Sequence, residues 1–276
     1  MVENALYELV LGSGSCEGGL VERGEVPSQW VDAYHEFLYE VRSDARGQSE
    51  WDRRLFQPLH YASTHLGLRY GVWKSSSGSS NADTEKLLSD IQFETEEYLW
   101  SALPDMPCWS PPVGAAAIHL GPDDRALIAM CFDQMSPVCE TEDGGSFHSW
   151  KRNYEDTLRG CASRWGAKVL WPRWVCMAIH FASFYIDLYQ AREIDLEFDS
   201  QRRDERSART ERVLATLGRS IANENVLRLI RVWLLACDLN RDVSGLPMIG
   251  KVRRRTGQFI SVRTVSELFL LHGLES

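Results

Sequence analysis

No apolar run in this 276-residue sequence is long enough to span a bilayer. The longest charge-free apolar stretch, Trp174 to Ile186, is 13 residues and contains His180, whereas a spanning helix takes about 20. The longer uncharged segment from Met106 to Pro122 holds Pro107, Pro111, Pro112 and Pro122, and so many ring-locked positions make it a loop. The opening MVENALYELVLG has neither a basic leader nor a small-residue cleavage site and carries Glu3 and Glu8 inside its apolar stretch, unlike a secretory signal. Proline and glycine are sparse, at 10 and 20 residues, which excludes collagenous, low-complexity and largely disordered classes. Seven cysteines, an odd number with no C-x-x-C among them, fit reduced thiols. A soluble, cytoplasmic protein without a membrane partner is the expectation.

Familiar catalytic signatures are also missing. There is no Gly-x-Ser-x-Gly elbow, His-Glu-x-x-His or calcium loop. The segment Gly12 to Gly19 has its third glycine one position late for a dinucleotide loop and no Gly-Lys-Ser/Thr, and Glu17 would repel phosphate. It reads as a connector. No cofactor is expected, and nothing in the composition argues for an enzyme.

What is present is helical periodicity. Trp30, Val31, Tyr34, Phe37, Leu38 and Val41 fall on one face of a helix. A second helix is expected over residues 50 to 70, kinked at Pro58, followed by a flexible Ser75 to Asn81 linker. Further helices follow over residues 83 to 103 and from Pro122. After a loop near residues 140 to 146, Trp150, Tyr154, Leu158, Cys161 and Trp165 form another seam. Residues 174 to 189 are apolar nearly all round and should be the central buried helix. Helices near residues 201 to 221 and 226 to 237 complete the body, and no period of 20 to 50 residues repeats. The expected fold is mainly α, a multi-helix bundle with eight or nine helices. Lys251 to Val265 suits either a short C-terminal β-hairpin or a helix, turn, helix. Residues 1 to 244 read as an acidic body and 245 to 276 as a basic C-terminal segment.

Several clusters have the residue types for chemistry. Arginine followed by four to six residues and a histidine resembles the pattern of HEPN-type ribonucleases, in which helices bring Arg and His to a cleft and polarise an RNA backbone. Arg53 and Arg54 precede His60, and Arg173 precedes His180, so the resemblance makes Arg54 and His60 the candidate catalytic pair. Cys176 and His180, four apart on one helical face, are candidate metal ligands, with Cys131, Cys139, Cys161 and His148 as the available further donors. The glutamates Glu94, Glu96 and Glu97 read as a solvated helix face. Near the C-terminus, Ser261 to Leu268 resembles the recognition helix of helix-turn-helix proteins, with Gly257 in the preceding turn. The resemblance implies that Arg263 and Thr264 face a groove while Arg253, Arg254 and Arg255 hold phosphate.

Charge separates along the chain. Residues 200 to 276 hold 14 Lys and Arg against 8 Asp and Glu, and residues 1 to 199 hold 16 against 31. An acidic body with a basic end favours contact with an acidic protein partner, another copy of the chain, or nucleic acid. The function expected from these observations is a non-enzymatic helical interaction or assembly protein acting through its basic C-terminal third. A nucleic-acid binder using the helix-turn-helix-like segment and a metal-independent ribonuclease are the alternatives.

Overall fold

A computed structural model describes residues 2–44, 49–105, 120–138, 145–186, 189 and 205–236. Helix α1 (Val2–Leu11) is followed by α2 (Glu17–Arg23) and α3 (Ser28–Asp44), then strand β1 (Glu50–Asp52), α4 (Arg53–Thr64), α5 (Leu66–Ser77) and α6 (Ala82–Ser101). Beyond the loop come α7 (Pro122–Phe132), α8 (Gly145–Trp165), strand β2 (Leu170–Pro172) and α9 (Arg173–His180), which widens into a π turn over Phe181–Ile186. Helices α10 (Glu205–Leu217) and α11 (Glu224–Ala236) follow. The fold is mainly α, and among the described residues the only strands are the three-residue pair β1 and β2. The suggested C-terminal hairpin lies outside the described residues.

Local sequence explains most boundaries. Asp52 caps α4, its carboxylate accepting from the Arg54 backbone N–H at 2.7 Å. The single helix expected over residues 50 to 70 is instead a strand and two helices. Pro58 lies buried inside α4, and the break falls at His65. The expected Ser75 to Asn81 linker shrinks to a short turn. α5 runs to Ser77, Gly78 closes it at φ 65°, and Asn81 caps α6 by accepting from Thr84 N–H at 3.2 Å.

The two strands reveal an order that the 20 to 50 residue search misses. Residues 30 to 63 recur 120 positions further on: Trp30 and Trp150, Tyr34 and Tyr154, Leu38 and Leu158, Trp51 and Trp171, Arg53 and Arg173, His60 and His180, Ala62 and Ala182, Ser63 and Ser183. Their environments recur as well. Trp30 stacks on Tyr34 with ring centroids 5.2 Å apart, and Trp150 stacks on Tyr154 at the same separation. The Trp30 indole donates to the Leu9 carbonyl of α1 at 2.8 Å, and that of Trp150 to the Met130 carbonyl of α7 at 3.0 Å. Each half thus shares the order helix, helix, strand, helix, as α1, α3, β1, α4 in the first, where α2 is inserted after α1, and as α7, α8, β2, α9 in the second.

The halves meet about a local two-fold axis. β1 and β2 pair antiparallel with Trp51 opposite Trp171, Glu50 opposite Pro172 and Asp52 opposite Leu170. On either side of that ladder, Arg53 N–H donates to the Val169 carbonyl at 2.8 Å and Arg173 N–H to the Ser49 carbonyl at 3.1 Å. The guanidinium of Arg53 lies 5.7 Å from the Trp171 ring centre, and that of Arg173 lies 5.0 Å from Trp51. One apolar core runs through both halves, with Phe56, Leu59, Ile91, Leu99, Val175 and Phe181 among its fully buried members.

Candidate functional site

α4 and α9 each follow directly on one of the paired strands, and their histidines meet. His60 and His180, each seven residues past its arginine, are joined Nδ1 to Nδ1 at 2.8 Å. Like atom to like atom is the contact that two-fold related rings make. One nitrogen must donate and the other accept, so this bond holds a single proton.

Glu96 of α6 closes the other side. Its Oε1 accepts from Ser63 Oγ and lies 3.0 Å from His180 Nε2. Its Oε2 accepts from Tyr185 Oη at 2.7 Å and Trp100 Nε1 at 2.9 Å. Glu96 and His180 are fully inaccessible and His60 is 5% exposed. Burial alone would raise the Glu96 carboxyl. Electrostatic attraction to His180, together with hydrogen bonds from His180, Ser63 and Tyr185, outweighs burial and holds it below the usual carboxylate range.

The π turn lets Tyr185 take part. Five residues separate it from His180, and on a regular α-helix they would sit about 140° apart. An i→i+5 turn returns them to one face, where both reach Glu96. The solvated face expected for the three glutamates is therefore wrong for Glu96, which lies in the buried seam of α6 with Gln92 and Leu99. Glu97 pairs with Arg42 and Arg209, and Glu94 lies 3.7 Å from His35.

The structure does not bring Arg54 to His60. Arg54 points outward to Asp52 and to Asn4 Oδ1 at 3.1 Å, while His60 points into the core. Arg53 and Arg173 are the arginines in step with the histidines. The Arg53 Nη1 donates to the Gly166 carbonyl at 2.8 Å and the Arg173 Nη1 to that of Ala102, so both cap helix ends beside the ladder. The arginine-to-histidine spacing that resembles the ribonuclease pattern is, in this fold, the distance between two contact points on one axis.

The candidate metal ligands are likewise spoken for. Both His180 nitrogens are engaged, and burial pushes the Cys176 thiol up, away from the thiolate a metal needs. Cys131 donates to the Ala178 carbonyl at 3.3 Å, and Cys161 lies 3.6 Å from Asp124 Oδ1. Among the described residues no group of three or more His, Cys, Asp and Glu side chains is placed to hold a metal ion. Cys139, the His148 side chain, Arg253, Arg254, Arg255, Arg263 and Thr264 lie outside the described residues. No helix among the described residues is long and apolar enough to cross a membrane.

What the cluster can do chemically is hold and shift a proton along Glu96, His180 and His60. Sequence reasoning about single motifs missed it. The signal that finds it is W-x-R-x₆-H-(Y/F)-A-S, at Trp51 to Ser63 and again at Trp171 to Ser183. The chain matches no family model, no curated protein and no solved structure.

Proposed function

We propose that this protein is a non-enzymatic helical interaction or assembly protein whose basic C-terminal third contacts an acidic surface, that of a second copy of the chain. One observation carries the reading: helix α10 of the basic third seats itself on α6 of the acidic body. Arg206 of α10 bonds Asp90 and Ser89 of α6, and Arg209 forks onto both carboxylate oxygens of Glu97. Both guanidinium groups also lie within about 5 Å of the Phe93 ring, at 5.1 and 4.8 Å. The same chemistry continues beyond α11 in Arg253, Arg254 and Arg255, which offer a neighbouring acidic body what α10 offers its own. Glu96 adds support from the other side. Each of its oxygens takes two hydrogen-bonding partners from the protein, leaving no site for a substrate proton.

Size-exclusion chromatography with light scattering, run from low to high salt with absorbance at 260 and 280 nm, tests the reading. A multiple of 31.5 kDa that dissociates as salt rises, and that is lost in Arg253→Ala/Arg254→Ala/Arg255→Ala, is expected. A monomer at every ionic strength overturns self-association. A salt-sensitive peak with a high 260/280 ratio replaces it with the nucleic-acid reading.

A further inference from the structure

We propose that the outward face of α3, centred on Tyr39 with Glu36 and Asp32, is the docking surface that receives Arg253, Arg254 and Arg255 of a second copy, an assignment that rests on self-association through the basic third. All three side chains of this face are exposed, and Tyr39, at 77%, is the most exposed large hydrophobic residue among those described. Positions 32, 36 and 39 lie four and three residues apart on one helix, so they line up along a single stripe, with Glu40 exposed beside it. A ring so far out of the core adds little packing to its own chain. Its face suits a planar guanidinium, which stacks on aromatic rings and forks onto carboxylates.

Helix α6 shows what receives arginines of this chain. Arg206 and Arg209 lie over the Phe93 ring, while Asp90, three residues before the ring, and Glu97, four after it, accept from their guanidinium groups. Glu36 precedes Tyr39 by the same three residues, and Asp32 adds a second carboxylate one turn further on. The carboxylates of α6 are paired within the chain. Asp32 and Glu36 form no ion pair among the described residues, whereas the exposed Glu22 and Glu25 lie beside Arg23, Asp105 beside Arg219 and Asp156 beside Arg159. The repeat confines the surface to the first half. Its counterpart on α8 carries Arg152, Asp156 and Arg159 at the positions of Asp32, Glu36 and Tyr39, and Arg159 already holds Asp156. Each copy therefore has one arginine segment and one acceptor face, which makes the contact heterologous, and its exposed charges make it salt-sensitive.

Fluorescence anisotropy with a labelled peptide of residues 249–260 as the probe tests the face, using the full chain with Arg253→Ala/Arg254→Ala/Arg255→Ala so that its own segment does not compete. Saturable binding that weakens as salt rises is expected. Adding Glu36→Gln and Tyr39→Ala should raise Kd about tenfold or more, and adding Asp156→Asn on α8 should change it less than about twofold. The replaced side chains are exposed, so each variant should keep the helical circular dichroism of the natural sequence. No saturable binding, binding undiminished by Glu36→Gln/Tyr39→Ala, or an equal loss in Asp156→Asn overturns the assignment. Light scattering of the natural sequence and of Glu36→Gln/Tyr39→Ala separates the face from self-association itself. A salt-sensitive oligomer that persists in the variant sinks the face and leaves self-association standing. A natural sequence that is monomeric at every salt sinks self-association, and peptide binding that still needs Glu36 and Tyr39 then replaces the second copy with the chain's own terminus.

Discussion

After His60 the first half stays α-helical for one more turn and ends at His65, whose Nδ1 lies 2.7 Å from Thr64 Oγ1. After His180 the second half widens into a π turn, and Tyr185, at the position corresponding to His65, reaches Glu96 instead. The serines that follow the histidines part in the same way. Ser63 donates to Glu96, while Ser183 bonds the His180 carbonyl at 3.1 Å. At the same 120-residue offset Glu96 corresponds to Thr216 of α10, which is partly exposed and donates to the Arg212 carbonyl at 3.1 Å. The second half has its own buried carboxylate, Asp124, which accepts from Trp165 at 2.6 Å and from Gly121 N–H at 2.6 Å. Side chains of the helical seams and of the strand ladder are the ones that recur. Those around the buried carboxylates have diverged, because each carboxylate needs a complete set of donors and Glu96 and Asp124 draw on different ones.

That comparison can be broken most forcefully at Glu96. Glu96→Ala takes an acceptor from His180, Ser63, Tyr185 and Trp100 and should cost about 4 kcal/mol in urea denaturation, whereas Thr216→Ala at the partly exposed counterpart on α10 should cost about 0.5 kcal/mol or less. Because Glu96 is held below its ordinary value, its contribution is complete above about pH 4.5 and fades as pH falls through the folded-state value. Glu96→Gln should flatten that acid limb. The arginines come next. Arg173→Met removes a buried guanidinium from Trp51 and from the Ala102 carbonyl, with an expected loss of about 3 kcal/mol, against about 1 kcal/mol for the half-buried Arg53→Met.

Trp30→Phe and Trp150→Phe sharpen the equivalence, since each loses one indole-to-carbonyl bond and some packing. Both should cost about 2 kcal/mol, and a gap much beyond 1 kcal/mol would show that the two seams are not energetically alike. Asp52→Ala should cost about 1 kcal/mol through the lost cap of α4. Its counterpart Pro172 carries no side-chain cap, so Pro172→Ala should lower the denaturation midpoint less.

The helical seams were legible because they are local. Trp30, Tyr34, Leu38 and Val41, and again Trp150, Tyr154, Leu158 and Cys161, repeat at helical spacing and are buried. The buried character of residues 174 to 186 was legible for the same reason. The strands were not, since three residues are too few for alternation to show and each strand's partner is 120 positions away. Pro58 misled because proline inside a helix ordinarily marks a break, whereas here the break falls at His65. Glu96 was hidden between Glu94 and Glu97, although its spacing from Gln92 and Leu99 places it in the seam. The meeting of His60, His180 and Glu96 depends on three helices and becomes readable only when the repeat is aligned with itself.

The ladder between β1 and β2 also sets an order of events during synthesis. When Trp51 and Arg53 leave the ribosome, Trp171 and the carbonyls of Val169 and Gly166 do not yet exist. At about 5–20 residues per second, 120 residues take roughly 6 to 24 s. Throughout that interval the edge of β1 lacks the strand it pairs with, although Trp51 already has Phe56 and Tyr98 beside it once α6 is made. The first half therefore carries, for that interval, a strand edge whose ladder partner has yet to be made.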